Sequence, residues 1–161
     1  GKSLGNKAMP RNGHLNWLVP YAAGKLEAVG EKAGRKATFA VETTGDPVEI
    51  ALTSDQKNIR ADGRDATVIN VTARDSEGRE VPTANLLVNF SLTGDARIIG
   101  VGNGDPSSHE ADQYPEGKAW QRSLFNGKCQ VIVQAGRKTG AFKLTATASG
   151  MKAGGAEVGL R

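Results

Sequence analysis

The segment Leu86-Leu87-Val88-Asn89-Phe90-Ser91-Leu92 predicts a β-strand, because apolar residues recur at every second position and alternate side chains of a strand share one face. Gly94-Asp95 then predicts a turn, and Arg97-Ile98-Ile99-Gly100-Val101 predicts a second short strand that runs back. Gly102-Asn103-Gly104-Asp105-Pro106 ends this strand with residues that accept positive φ or fix φ near about −65°. The polar loop that follows, over residues 107–122, is long for a compact domain, which indicates either a functional loop or a poorly ordered one.

Further strand patterns on both sides of this segment predict an all-β chain. Alternating apolar residues predict strands over residues 48–52, 67–73, 129–134, 141–148 and 156–160, with a short continuation of the first at Ile59. Turns rich in Gly, Asp and Asn separate these strands, and no window has the apolar spacing of an amphipathic helix. About seven or eight strands of this length and spacing are typical of an immunoglobulin-like β-sandwich.

The first part of the chain, residues 1–44, carries strand patterns that amount to half a sandwich. These patterns cover residues 15–21, 24–30 and 37–42. So small a segment buries too little apolar surface to be stable alone. Because Thr43-Thr44-Gly45-Asp46-Pro47 is a short polar break, we predict two domains. Residues 1–44 would be the trailing half of a second β-sandwich, and residues 45–161 the immunoglobulin-like β-sandwich.

The apolar faces of residues 1–44, around Trp17, Leu26 and Phe39, need a cover. Leaving such side chains exposed forgoes about 1.5 to 3 kcal/mol each. We expect the following domain or another chain to cover them. We therefore predict a homodimer, or strand exchange between two copies, through residues 1–44.

Charge, hydropathy and cysteine content argue against several classes of function. The net charge of +4 is spread over turns and strand edges and is interleaved with Asp and Glu, so we expect no nucleic-acid partner. No apolar run approaches the roughly 18 residues of a membrane span, so we expect no membrane association. The single cysteine, Cys129, lies in phase with Val131 and Val133, which favours a buried structural thiol over a nucleophile.

Several longer motifs occur in a fixed order along nearly the whole chain. In residues 1–45 they are Gly1-Lys2-Ser3-Leu4-Gly5, Trp17-Leu18-Val19-Pro20-Tyr21 and Val41-Glu42-Thr43-Thr44-Gly45. In residues 46–161 they are Ile59-Arg60-Ala61-Asp62-Gly63, Asp75-Ser76-Glu77-Gly78, Asn103-Gly104-Asp105-Pro106-Ser107-Ser108-His109-Glu110 and Leu124-Phe125-Asn126-Gly127-Lys128-Cys129. With these motifs the chain resembles the C-terminal immunoglobulin-like region of bacterial glycoside hydrolase family 2 β-galactosidases. Residues 1–44 are similar to the trailing half of the domain that follows the catalytic barrel, and residues 46–161 to the module after it.

This resemblance implies a parent chain that is a β-galactosidase, and a fragment that is not itself an enzyme. Retaining glycosidases use two carboxylates about 5 Å apart, and in this family they lie in a (β/α)-barrel. No part of the sequence alternates strands with helices as that barrel requires. We therefore predict no catalytic residue and no cofactor, with the remaining domains of the parent enzyme as partners. We expect a periplasmic or secreted location rather than a cytoplasmic one.

The corner Asn103-Gly104-Asp105-Pro106, with His109 and Glu110 after it, is the segment most easily mistaken for an active site. Asp105, His109 and Glu110 are side chains of types that bind metals, but one histidine beside one glutamate is a thin ligand set. Gly and Pro in the corner favour a rigid turn, in which Asn103 and Asp105 bond to nearby backbone amides. We therefore predict no metal site, and a structural corner whose polar groups bond to backbone or to an adjacent domain.

Tyr114 and Trp120 are the candidate carbohydrate contacts in the polar loop. Aromatic faces suit the apolar side of a pyranose ring, but burial at a domain interface explains them equally well. Three function classes stay open: an accessory sandwich of a β-galactosidase, a carbohydrate-binding module, and an adhesin-type immunoglobulin-like repeat. The resemblance favours the first, in which the sandwich supports the catalytic domain, makes oligomer contacts or borders the substrate cleft.

Overall fold

A computed structural model describes all of residues 1–161 and contains eleven β-strands and no helix. The prediction of an all-β chain is therefore confirmed. The chain forms two compact units, Gly1–Thr43 and Thr44–Arg161. No helix long and apolar enough to cross a membrane is present.

The first unit is built on a single antiparallel hairpin of β1 (Lys25–Lys32) and β2 (Arg35–Glu42). Ala33 and Gly34 form the connection with φ of 50° and 73°, the left-handed values that a two-residue hairpin turn needs. The strand predicted over residues 15–21 is absent, since these residues have no strand partner. That prediction was wrong because the alternation of Leu15, Trp17 and Val19 supplies one face of a strand but no neighbouring strand to bond to. The interpretation of this unit as half a sandwich stays a prediction.

One face of the hairpin is apolar and exposed. The register places Leu26 opposite Val41 and Ala28 opposite Phe39, so these four side chains share one face. Leu26 is 50% exposed, Val41 51% and Phe39 72%. Trp17 is 40% exposed, and the Lys7 ammonium lies over its ring, 4.8 Å from the ring centroid. Within the first unit itself, the apolar face predicted to need a cover is therefore left open.

The second unit is a β-sandwich of two antiparallel sheets with one short parallel pairing. Its strands are β3 (Glu49–Ser54), β4 (Asn58–Ile59), β5 (Ala66–Arg74), β6 (Leu87–Thr93), β7 (Ala96–Gly102), β8 (Trp120–Ser123), β9 (Lys128–Ala135), β10 (Gly140–Thr147) and β11 (Gly154–Leu160). One sheet has the order β4-β11-β10-β6-β8 and the other β3-β5-β9-β7. The four edge strands are therefore β4, β8, β3 and β7.

Alternating side chains of both sheets fill the space between them. Ile69, Val71 and Ala73 of β5 are fully buried, as the sequence predicts. They meet inward residues of the other strands, among them Val88, Phe90, Val131, Val133, Phe142, Leu144, Ala146 and Val158. Each large apolar side chain buried in this way stabilises the fold by about 1.5 to 3 kcal/mol. This core gives the loops at the ends of the sandwich a rigid base.

The predicted turn at Gly94 joins strands of different sheets. β6 belongs to the five-stranded sheet and β7 to the four-stranded sheet, so the second strand does not pair with the first. Gly94 has φ of 102°, and a Cβ there would lie against the Ala141 carbonyl oxygen and 2.7 Å from the Phe142 Cα. Only glycine meets both the positive φ and this close backbone contact.

A buried carboxylate closes the turn between β5 and Val81. Asp75 is 1% exposed and accepts hydrogen bonds from the backbone N–H groups of Gly45, Glu77 and Arg79 at 2.9, 3.0 and 2.9 Å, and from the Arg79 Nε at 2.9 Å. Burial by itself raises the pKa of Asp75, but these hydrogen bonds outweigh it and lower the pKa to about 2. The turn therefore depends on an ionised aspartate.

The stability of the second unit should fall in acid because of this aspartate. Its pKa is about 2 in the folded state against 3.8 when unperturbed, so the unfolded state takes up the proton more readily. The stabilisation is complete above about pH 4 and is lost as the pH falls towards 2. Thermal unfolding followed by circular dichroism should show the melting temperature falling over this interval. In Asp75→Asn the fall should be shallower, and an equally steep fall in that variant would contradict the assignment.

Candidate functional site

The predicted corner after β7 is held by its own polar side chains. The Asn103 Oδ1 accepts from the Asp105 N–H at 3.0 Å, and the Asp105 Oδ1 accepts from the N–H and hydroxyl of Ser107 at 2.9 and 2.7 Å. The Ser107 hydroxyl and N–H lower the pKa of the Asp105 carboxyl. Gly104 has φ of 75°, which favours glycine, whereas Gly102 lies outside the left-handed region and its Cβ position is open. Contact of this corner with another domain stays a prediction.

Arg122 of β8 organises this corner, and sequence reasoning missed it. The residue is only 4% exposed. Its Nη2 donates to the Asn103 Oδ1 at 2.9 Å, while its Nη1 donates to the Glu110 carbonyl at 3.1 Å and to the Asp112 Oδ1 at 2.7 Å. One guanidinium therefore ties the corner at Asn103 and two residues of the long polar loop, Glu110 and Asp112, to the edge of the sandwich.

Two further hydrogen bonds fasten the loop to the next residue of β8. The Glu110 Oε2 accepts from the Ser123 N–H at 2.8 Å, and the Asn103 Nδ2 donates to the Ser123 carbonyl at 2.9 Å. Burial raises the pKa of Glu110, but the hydrogen bonds of Ser123 and the charge of Arg122 outweigh it and hold this pKa below its ordinary value. Glu110 is therefore a carboxylate at neutral pH and is poorly suited to act as a general acid.

The sequence carries a signal for the buried arginine. Arg122 is in phase with Leu124, which is buried, so it occupies an inward strand position. An arginine at such a position needs charged or polar partners, and the loop before it offers Glu110 and Asp112. The signal was missed because the strand was predicted to resume at Ser123, whereas β8 begins at Trp120.

Tyr114 and Trp120 contact each other. Their rings meet edge to face, with centroids 5.3 Å apart and planes inclined by 68°, and the Tyr114 hydroxyl donates to the Gln121 carbonyl at 3.2 Å. Both are half-buried and pack against the core. They line a shallow, open depression of about 420 Å³ together with Arg97 and Gln134. The structure thus brings the two predicted carbohydrate contacts together, and their role stays a prediction.

The two remaining candidate residues, His109 and Cys129, belong to neither a metal site nor a catalytic site. His109 is exposed, and none of the hydrogen bonds in the corner involves its side chain. The structure contains no group of three or more His, Cys, Asp or Glu side chains placed to hold a metal ion. Cys129 is 2% exposed, and its burial raises the pKa of the thiol to about 12. This thiol is protonated at neutral pH, as expected of a structural cysteine.

The chain matches two protein families by sequence. Residues 50–157, most of the sandwich, match the glycoside hydrolase family 2 C-terminal domain 5. Residues 1–38 match a domain of unknown function, DUF4982. The first match covers more than half of the chain and includes the corner, the polar loop and β8.

Similar proteins are much longer than this chain. The β-galactosidase BoGH2A of Bacteroides ovatus is 38% identical over 154 residues, which are 94% of this chain and 18% of that protein. A β-glucuronidase of Formosa agariphila is 35% identical over 113 residues, 66% of this chain and 12% of that protein. The crystal structure of a glycosyl hydrolase family 2 member from Bacteroides cellulosilyticus aligns with a TM-score of 0.81 at 33% identity, covering 89% of this chain and 18% of that one.

The chain thus spans 18% of the length of the Bacteroides ovatus β-galactosidase and 18% of the length of the Bacteroides cellulosilyticus structure. The family resemblance expected from the motifs is confirmed by the match over residues 50–157 and by the shared fold. By that match, the chain belongs to glycoside hydrolase family 2 and carries the family's C-terminal domain 5.

Proposed function

We propose that this chain is a non-catalytic C-terminal region of a larger β-galactosidase, in which it supports the catalytic domain, makes oligomer contacts or borders the substrate cleft. The named activity of the Bacteroides ovatus relative supports the substrate class. That match covers 94% of this chain, against 66% for the β-glucuronidase of Formosa agariphila.

The all-β architecture is the observation that carries this proposal. A retaining glycosidase of this family needs two carboxylates about 5 Å apart on a (β/α)-barrel, which requires eight helices. This structure has strands and no helix. The polar groups of its most prominent corner are also engaged with one another, since Arg122, Asn103 and Glu110 bond within the corner and to β8. Such an arrangement stabilises a loop and leaves little for catalysis.

A deletion in the longer protein tests this role. Removing residues 44–161 should lower the melting temperature or change the oligomeric state, because a packed domain would be lost. The chemical step should survive in the molecules that stay folded, so kcat for a nitrophenyl β-galactoside should change far less than stability. A folded, correctly assembled deletion variant with kcat reduced to background would contradict a supporting role.

The exposed apolar face of the hairpin in the first unit supports a second copy of this chain as a partner. In isolation, two copies of the chain should associate through residues 1–44, since Leu26, Phe39 and Val41 are half or more exposed. Analytical ultracentrifugation should detect a concentration-dependent dimer. The double variant Leu26→Thr/Phe39→Thr should shift it to monomer, because threonine keeps the strand propensity and removes apolar area. A strictly monomeric unmodified chain would contradict the homodimer prediction.

A further inference from the structure

Two shallow depressions lie side by side along the edge strand β7. The first, of about 420 Å³, extends from Arg97 to Tyr114 and Trp120. The second, of about 290 Å³, extends from Arg97 to Gly136 and Arg137. Arg97 lines both, so the two depressions form one open groove with this arginine at its middle, which we call the β7 groove. It is separate from the Arg122 corner.

Arg97 is held in place before any ligand arrives. Its Nε and Nη2 both donate to the Gln134 Oε1, at 2.9 and 2.6 Å. The Gln134 Nε2 in turn donates to the Arg64 carbonyl at 3.3 Å, which fixes the amide. These bonds leave the Nη1 edge of the guanidinium for a ligand. A guanidinium fixed in this way loses little side-chain entropy on binding and presents a planar fork of donors.

The aromatic end of the β7 groove is also fixed. Tyr114 and Trp120 brace each other edge to face, and the Tyr114 hydroxyl is held by the Gln121 carbonyl. A β-bulge in β7 falls between Ile98 and Gly100, so Ile99 is the additional residue and it lines the same depression. Bulges re-aim side chains and are common next to binding sites. The groove therefore combines a braced aromatic pair, the apolar side chain of Ile99 and a hydrogen-bonded cation.

The charges along the groove are mainly positive. Arg97 and Arg137 are exposed cations, and Asp95 is the acidic residue that lines the groove. The Asp95 Oδ2 already accepts from the Lys138 N–H at 2.6 Å, so part of its capacity as an acceptor is used within the protein. An anionic ligand therefore meets two guanidinium groups and one engaged carboxylate.

We propose that the β7 groove binds a carbohydrate chain that contains uronic acid units. A sugar ring packs against the exposed surface of the Tyr114–Trp120 pair, while the uronate carboxylate pairs with Arg97 through charge-assisted hydrogen bonds. A second uronate along the chain reaches Arg137 at the other end. An open, shallow and elongated groove suits an extended polysaccharide better than a small molecule, which prefers a concave pocket. This activity is additional to the supporting role proposed above, which stands whether or not the groove binds a glycan.

Titration calorimetry with the 161-residue chain tests the proposal, with polygalacturonate as the acidic probe and neutral galactan as the comparison. Polygalacturonate should bind, and galactan should bind at least about tenfold more weakly. Arg97→Met should weaken polygalacturonate binding by at least about tenfold, because it removes the paired cation. Lys143→Gln, which removes an exposed cation from β10 in the other sheet, should change it by less than about twofold.

Several outcomes would overturn the proposal. One is that polygalacturonate does not bind, and another is that galactan binds as tightly as polygalacturonate. A third is that Arg97→Met and Lys143→Gln lose the same affinity for polygalacturonate. Circular dichroism must show that Arg97→Met is folded. If it is not, the unmodified chain still decides, since a uronate paired with Arg97 must bind more weakly as salt rises from low to physiological concentration. Binding that is insensitive to salt would equally contradict the assignment.

Discussion

Replacing Arg122 with methionine should lower the free energy of unfolding of the second unit by about 3 kcal/mol. The change removes the three hydrogen bonds that the guanidinium donates to the Asn103 Oδ1, the Glu110 carbonyl and the Asp112 Oδ1. Breaking a buried ion pair costs about 3 to 5 kcal/mol. The lower end applies because the Asp112 side chain is 76% exposed and returns to water. Chemical denaturation should show this loss, and the melting temperature should fall by about 10 °C.

Arg97→Met is the matched control for this prediction. Arg97 also lies on an edge strand and also bonds to a side chain, but it is exposed. Exposed polar pairs contribute about 0 to 1 kcal/mol, so this variant should unfold nearly as the unmodified chain does. Equal effects of the two substitutions would mean that the Arg122 network is not what holds the polar loop.

Gly94→Ala should be comparably damaging, with a loss of about 2 to 5 kcal/mol in the free energy of unfolding. At φ of 102° a side chain is strained, and the new Cβ would press on the Ala141 carbonyl and lie 2.7 Å from the Phe142 Cα. Backbone strain of this kind costs about 1 to 2 kcal/mol and overpacking about 1 to 3 kcal/mol. Equilibrium unfolding in urea measures the sum.

Two other glycines separate these contributions. Gly104 has φ of 75° but open space at its Cβ position, so Gly104→Ala should show the strain alone, about 1 to 2 kcal/mol. Gly102 has neither feature, so Gly102→Ala should stay within about 0.5 kcal/mol of the unmodified chain. A different ranking of the three variants would contradict the assignment of Gly94 as the point where the chain crosses between sheets.

The strands of the core could be predicted from the sequence because their side chains alternate. Ile69, Val71 and Ala73 of β5 follow this pattern and are fully buried. The hairpin β1–β2 could be predicted for the same reason, with Ala33-Gly34 as its turn. Alternation shows which face is buried, but it does not show which strand is the neighbour. The failures at residues 15–21 and at Gly94 both follow from that limit.

The candidate site was predicted only in part. The corner at Asn103 could be recognised from turn residues, since short polar side chains bond to nearby backbone. Arg122 could not be recognised in the same way, because its partners lie 10 to 19 residues away along the chain. Such contacts depend on how the loop returns to the sheet edge. The same holds for the β7 groove, where Arg97 and Gln134 lie 37 residues apart in sequence.

The most direct test of the account is the hydrolysis of a nitrophenyl β-galactoside by the purified 161-residue chain. A supporting β-sandwich without a catalytic pair of carboxylates cannot cleave the glycosidic bond. We therefore expect product to form no faster with the folded chain than in buffer alone. Measurable turnover that is abolished by substituting a single carboxylate within the chain, such as Glu110→Gln, would contradict it.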